Sequence, residues 1–257
     1  MDVTTGRDRE VLSYFDRDRE VLSYFDSLVV SYSAGKDSTA CLLWALATGL
    51  PVRAIWCDTG NEPPESPDYL EYIERELGVS IERLVRPGRQ FDDFVRQRRM
   101  WPIPGRCLVS SSTKREAMAW YLNNTETSEN ALLVLGQRRS ESAGRAALPD
   151  FTPASRSGLP VYRPILDWSL DDVFQYLDDH GVMAHPAYAK GRKRVGCVWC
   201  VHSRHDDLVR DEQLYPERCA ELRALRAEIG LSSVPAGIEQ ATMFEPDVCK
   251  YESVHCE

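Results

Sequence analysis

The densest chemistry in this 257-residue chain lies in Ser31-Tyr32-Ser33-Ala34-Gly35-Lys36-Asp37-Ser38-Thr39. The apolar run Leu28–Tyr32 leads in as a strand, and Asp37–Thr48 leads out with helical spacing. A turn of small residues between a strand and a helix exposes backbone N–H groups beside a helix N-terminus, which favours phosphate. Ser33 and Ser38 can donate hydroxyl hydrogen bonds, and Lys36 adds positive charge. The whole stretch from Ser31 to Thr39, with Ala34 and Gly35 at its bend, is therefore the candidate phosphate loop. It is not a Walker A loop, because the G-x-x-x-x-G-K-[ST] spacing is absent.

Other reactive groups also follow strand patterns. Asp58 follows Val52–Cys57 and either orders a nucleotide or Mg²⁺ or caps its strand. Asp37 either serves Mg²⁺ or caps its helix. Gly136, Arg138, Glu141, Ser142 and Arg145 follow the strand Ala131–Leu135, and guanidinium forks there can hold phosphate oxygens in pairs. Arg138 and Arg145 are the stronger phosphate candidates, Arg139 the weaker. Cys197 and Cys200 form C-x-x-C, a spacing shared by metal sites, redox pairs and plain structural thiols.

Strands and helices must alternate to place these groups. The pattern predicts strands at 28–32, 52–57, 80–85, 131–135 and 161–165, with helices at 37–48, 69–77, 114–122 and 170–179. That alternation predicts an α/β fold: a doubly wound, mostly parallel five-stranded sheet whose ligands sit at the carboxyl ends of the strands. From about Gly181 the pattern becomes loop-rich, with the basic run Lys190, Arg192, Lys193, Arg194 and a helix-like segment at 217–228, so a C-terminal cap over 181–257 is expected. The nucleotide domain then spans 27–180. Residues 1–26 form an extension with a perfect repeat, RDREVLSYFD at 7–16 and again at 17–26. Ten residues are about 80° short of whole helical turns. The two copies therefore cannot present one straight stripe, and the second, which runs into the first strand, is the better candidate for core packing.

The net charge is −9, which argues against indiscriminate nucleic-acid binding but allows a local basic groove. No apolar run approaches the ~18–20 residues of a membrane span, and residues 1–19 lack a signal-peptide stretch, so a cytoplasmic protein is expected. There the eight cysteines suit thiol chemistry, metal ligation or burial better than a disulfide framework.

The 31–39 loop resembles the S-G-G-x-D-S pyrophosphate loop of the PP-loop adenine-nucleotide α-hydrolase superfamily, with Ala34 in place of the first glycine. Cys57-Asp58-Thr59-Gly60-Asn61-Glu62-Pro63-Pro64-Glu65 resembles the D-T-G-x-E-x-P-E element of the phosphoadenosine-phosphosulfate reductase-like branch. Gly136 to Arg145 resembles its G-x-R-x-x-E-S-x-x-R element. Arg163-Pro164-Ile165 with Trp168, and His185-Pro186 through Gly196-Cys197, resemble its P-I-x-x-W and h-P-x-Y-x-x-G-x-x-x-G-C stretch. The resemblance spans roughly 28–229.

It implies a Rossmann-like PP-loop fold that binds ATP, or the sulfonucleotides PAPS or APS, with Mg²⁺. Lys36, Asp37 and Arg138 take the catalytic roles. In iron–sulfur members a cysteine pair stands where this chain keeps only Cys107, and Cys219 is the conditional fourth ligand beside Cys197 and Cys200. A [4Fe–4S] cluster or Zn²⁺ is thus one implied cofactor, with a reduced C-x-x-C closing the cap as the alternative. The reductases' E-C-G-L-H-type tail is missing: this chain ends Val254-His255-Cys256-Glu257. The implied functions are an ATP pyrophosphatase that adenylates an acceptor for sulfur transfer, a sulfonucleotide reductase, or a nucleotide-binding subunit. A nucleic acid, a sulfur donor, a CRISPR-associated protein or a second copy in a homodimer are the partners these imply.

Overall fold

The computed structural model describes residues 18–86, 88–103, 107, 114–125, 127, 130–153, 155 and 158–231. The first copy of the repeat, Cys249 and Cys256 lie outside the described residues.

The strands are β1 (Ser27–Tyr32), β2 (Val52–Asp58), β3 (Ile81–Val85), β4 (Ala131–Leu135), β5 (Phe151–Thr152) and β6 (Val161–Tyr162). They form one sheet in the order β3-β2-β1-β4-β6-β5. All neighbours are parallel except β5, which pairs antiparallel with β6 (Phe151 opposite Tyr162). The five expected parallel strands are present, the fifth cut to Val161–Tyr162 from the expected 161–165, because Pro164 has no N–H to continue the ladder. The sixth, two-residue strand carries no alternation long enough to announce itself in the sequence. The helices are α1 (Lys36–Ala47), α2 (Ser66–Leu77), α3 (Phe91–Arg98), α4 (Glu116–Asn124), α5 (Ala143–Ala146), α6 (Leu170–Asp179), α7 (Pro186–Ala189), α8 (His205–Leu214) and α9 (Pro216–Glu228).

The chain leaves β1 toward β2 on one side and returns through β4 on the other, so the order reverses between β1 and β4. That switch point is where an open α/β sheet leaves a crevice for ligand. β1 and β4 read as continuous apolar runs because both are central and covered on both faces. One face packs Leu28, Val30 and Trp56 against α1, α2 and α6 through Leu42, Ile73 and Leu177. The other packs Val29, Ile55 and Leu133 against Ala117, Met118 and Leu122 of α4.

The second repeat copy does reach the core. Val21, Leu22 and Phe25 pack against the first cluster. Buried Asp18 accepts hydrogen bonds from Trp44 Nε1 (2.8 Å) and from the Tyr162 hydroxyl, tying the 18–22 turn to α1 and β6.

A separate cluster joins α3 and Trp101 to Val198, Trp199, Tyr215, Cys219, Leu222 and Leu225. The cap is therefore built from two distant stretches, α3 as well as the C-terminal segment. Buried Arg192 and Asp211 pair within it (2.9 Å). Asp211 accepts the Trp199 N–H (2.8 Å), and Arg192 donates to the Gly196 and Cys197 carbonyls. No described helix is long and apolar enough to cross a membrane.

His185 fastens the cap to α2. Its Nδ1 accepts the Ala187 N–H (3.1 Å), leaving Nε2–H to donate to Ser66 Oγ (3.2 Å). Burial holds its pKa down at about 4. The fold thus favours neutral His185, and this stabilisation is complete above about pH 6.5 and lost as pH falls toward 4. A shift of this size is worth about 3 kcal/mol. Urea unfolding should show wild type losing up to about that much more stability between neutral pH and pH 4 than His185→Gln does. Parallel losses would show that His185 is not buried neutral.

Candidate functional site

Everything at the switch point depends on how closely β4 crosses the start of α1. A Cβ built on Gly136 would stand 2.8 Å from the Asp37 carbonyl carbon and oxygen and 2.9 Å from the Ser38 nitrogen. Only a glycine lets the strand end pass there, so this residue sets the distance between the two candidate loops.

The phosphate loop is closed by its own hydroxyls. The Ser33 N–H donates to Ser38 Oγ (3.1 Å), which donates to the Gly35 carbonyl (2.9 Å) and meets Ser33 Oγ (3.1 Å). Thr39 is fully buried, its hydroxyl donating to Gly35 O (3.1 Å) and meeting Tyr32 Oη (3.1 Å). It is scaffold for the loop. Ser31 lies within β1, opposite Ile55 and Leu135. Ala34 has φ +60°, the left-handed region that glycine occupies freely and alanine at a cost of roughly 1–2 kcal/mol. The small size of alanine therefore does not make it equivalent to the glycine of the family loop, and the bend is strained.

Next along the chain, Asp37 sits in the first turn of α1, where a negative charge suits the helix. Its Oδ2 pairs with Lys36 Nζ (2.8 Å) and its Oδ1 with Arg138 Nε (2.6 Å). Lys36 and Arg138 are themselves buried. Burial opposes charge on Asp37, but the two cations outweigh it and hold the carboxyl below its usual range. The triad carries one net positive charge at the loop. Arg138 is further positioned by Ser140 Oγ (3.0 Å), and its N–H donates to Glu141 Oε2 (2.9 Å). Glu141 also pairs with Arg145, and Ser142 caps α5. Arg139 points elsewhere, to Asp167 (2.6 Å).

Tyr188 of the cap and Lys114, just before α4, complete the site. The Tyr188 hydroxyl accepts the Lys36 N–H (3.1 Å), and its ring lies under Lys36 Nζ, 5.3 Å from the centroid. Tyr188 lies within the h-P-x-Y stretch, where the motif position was legible but a hydrogen bond to a loop 152 residues away was not. Lys114 pairs with Glu62 (3.4 Å), which also accepts from Thr59 Oγ1 (2.7 Å).

Metal fit differs among the acids and thiols. Asp37 commits both oxygens to cations and does not fit Mg²⁺. Asp58 accepts the Gly60 N–H (2.7 Å), yet burial and then the Glu62 charge outweigh that bond and raise its pKa. A cation beside Asp58 would relieve that repulsion, so it fits Mg²⁺ better. The cysteines are not assembled. Among the described residues no three His, Cys, Asp or Glu side chains converge as metal ligands. Cys219 lies on the inner face of α9, and its thiol donates to the Asp211 carbonyl (3.4 Å). Cys107 packs partly buried against the same cluster, and Cys197 meets Thr59 Oγ1 (3.7 Å). This arrangement does not fit a [4Fe–4S] cluster or a zinc ion.

The 31–39 loop, the glycine crossing and the arginine element meet at the switch point of a PP-loop fold, where they form the candidate nucleotide site. The phosphoadenosine phosphosulfate reductase domain model matches residues 27–203, and the chain belongs to that family. It is similar to an uncharacterised protein of Escherichia phage 186 (29% identity, over 76% of this chain and 72% of that one). It is also similar to adenosine 5'-phosphosulfate reductase of Allochromatium vinosum (28% identity, over 69% of each). Candida glabrata FMN adenylyltransferase, solved in complex with ATP, shares the fold at TM-score 0.53 and 16% identity, over 77% of this chain and 65% of that one.

Gly136→Ala should shift the β4–α1 crossing and destabilise the protein by about 1–3 kcal/mol, whereas Gly144→Ala, with nothing within 4 Å of the added carbon, should be near neutral. Thermal unfolding of both variants decides it, and equal midpoints would refute the crossing constraint. Arg138→Ala should weaken nucleotide binding by about 1.5–3 kcal/mol, while Arg53→Ala, whose guanidinium pairs with Glu82, should leave it unchanged. Calorimetric titration with nucleotide separates the two.

Proposed function

We propose that this chain is an ATP pyrophosphatase, binding ATP with its phosphates over the 33–38 loop and cleaving at the α-phosphate to pass AMP to an acceptor. The observation that carries the reading is the buried Lys36–Asp37–Arg138 triad at the N-terminus of α1. Loop amides and the helix dipole would face a phosphate chain. Lys36 and Arg138, already desolvated and held by one shared carboxylate, would meet the negative charge that grows on departing pyrophosphate. Such preorganised charge is worth most where water is excluded. Asp37 acts as the positioning residue that keeps both cations in place. Mg²⁺, when bound with the nucleotide near Asp58, would supply further charge neutralisation.

The second reading is a sulfonucleotide reductase, favoured by the family match. It needs a thiolate nucleophile. Burial pushes Cys57 up to about 11 and Cys197 and Cys219 up to about 12, and raises Cys41 as well. These four are protonated thiols near neutral pH, so none of them supplies that thiolate.

With α-labelled ATP, the expected products are AMP, free or on an acceptor, and pyrophosphate, and Lys36→Ala should slow their formation by about 100-fold or more. ADP with phosphate would refute cleavage at the α-position. Sulfite release from a sulfonucleotide with thioredoxin would establish the reductase instead.

A further inference from the structure

Charge in this acidic chain is unevenly distributed. Residues 94–115 contain no Asp or Glu but six cations: Arg96, Arg98, Arg99, Arg106, Lys114 and Arg115. Residues 180–205 again contain no acid, with Lys190, Arg192, Lys193, Arg194 and Arg204 and four histidines. The fold brings the described start of the first stretch, 94–103, into one layer with the second. Phe94, Val95 and Trp101 of the first pack in the same cluster as Val198 and Trp199 of the second.

That layer borders the phosphate loop. A Cβ on Gly35 would lie 3.7 Å from Val195 Cβ, directly after Arg194, and Tyr188 holds the Lys36 N–H. Four carboxylates of the layer are paired, Glu65 with Lys190, Asp92 with Arg218, Asp211 with Arg192 and Glu228 with Arg96, while exposed Asp206, two residues after Arg204, and buried Asp207 take part in no salt bridge among the described residues. Arg98, Arg99, Lys193, Arg194 and Arg204 are exposed and take part in none of the salt bridges among the described residues.

We infer that this layer docks a nucleic acid, whose phosphate backbone is held by these five cations across the mouth of the nucleotide site. A basic surface on a chain of net charge −9 is a focused field: it attracts a polyanion locally while the rest of the molecule repels it. The docking surface rests on charge and placement alone. That the docked strand is the acceptor of AMP rests on the ATP pyrophosphatase reading.

The test is fluorescence anisotropy of the whole protein with labelled single-stranded DNA and RNA oligonucleotides of about 20 nucleotides, across a salt series. Five neutralised phosphates on a single strand give a log–log salt slope of about −3.5, so affinity should fall about 100-fold between about 50 and 200 mM salt. The variant Arg98→Glu/Arg99→Glu/Lys193→Glu/Arg194→Glu should lose at least that factor while still consuming ATP in the absence of oligonucleotide. Arg75→Glu, on exposed α2, should bind as wild type does. A milder Arg98→Gln/Lys193→Gln variant, expected to lose about 10-fold, keeps the test open should the quadruple variant fail to fold. Absence of binding, salt-independent binding, equal losses in Arg75→Glu, or preference for an acidic peptide over the oligonucleotides would each overturn the inference. Oligonucleotide binding without AMP formation would leave the surface standing and remove the pyrophosphatase reading. AMP formation without oligonucleotide binding would do the reverse.

Discussion

The near-contact between Gly136 and the Asp37–Ser38 backbone is the constraint on which the rest of the site depends. Because β4 ends against the first turn of α1, Arg138, two residues after Gly136, can reach Asp37, one residue into the helix. Asp37 then holds a lysine from its own loop and an arginine from the next, and two loops 101 residues apart become one electrostatic unit. Neither cation would be stable in so buried a place without that carboxylate, since an unpaired buried charge is costly. The strained φ of Ala34 and the serine hydrogen bonds beneath it are the local means by which the loop closes on this point.

A cap then shields the unit. Tyr188 caps a loop amide, His185 ties the same segment to α2, and the Arg192–Asp211 pair orders the turn that carries Cys197. Two of the cysteines follow from this packing. Cys219 fills a core position, and burial keeps Cys197 in its neutral form.

Much of this was legible in the sequence. The five parallel strands, the loop, the glycine–arginine element and the second repeat's role in the core follow from periodicity and residue type, because each is a local pattern. Four features were not. β5 is too short to show alternation. α3 lies in an arginine-rich stretch and joins the cap through Trp101 and Arg226, a long-range contact without local signature. The thiols' failure to gather reflects the inward face that α9 turns to the core, and cysteine spacing alone does not encode which face of a helix is buried. Asp37's double ion pair was equally invisible, so a residue with the look of a magnesium ligand is instead the link between two cations.

The most direct measurement is a crystal structure with the non-hydrolysable analogue α,β-methylene-ATP. The β- and γ-phosphates are expected against the loop amides other than those of Ser33 and Lys36, which already bond Ser38 and Tyr188, with the Lys36 and Arg138 side chains in hydrogen-bonding reach of phosphate oxygens and Asp37 still bridging them. Phosphates bound away from this loop, or a triad that disperses when the nucleotide binds, would contradict it.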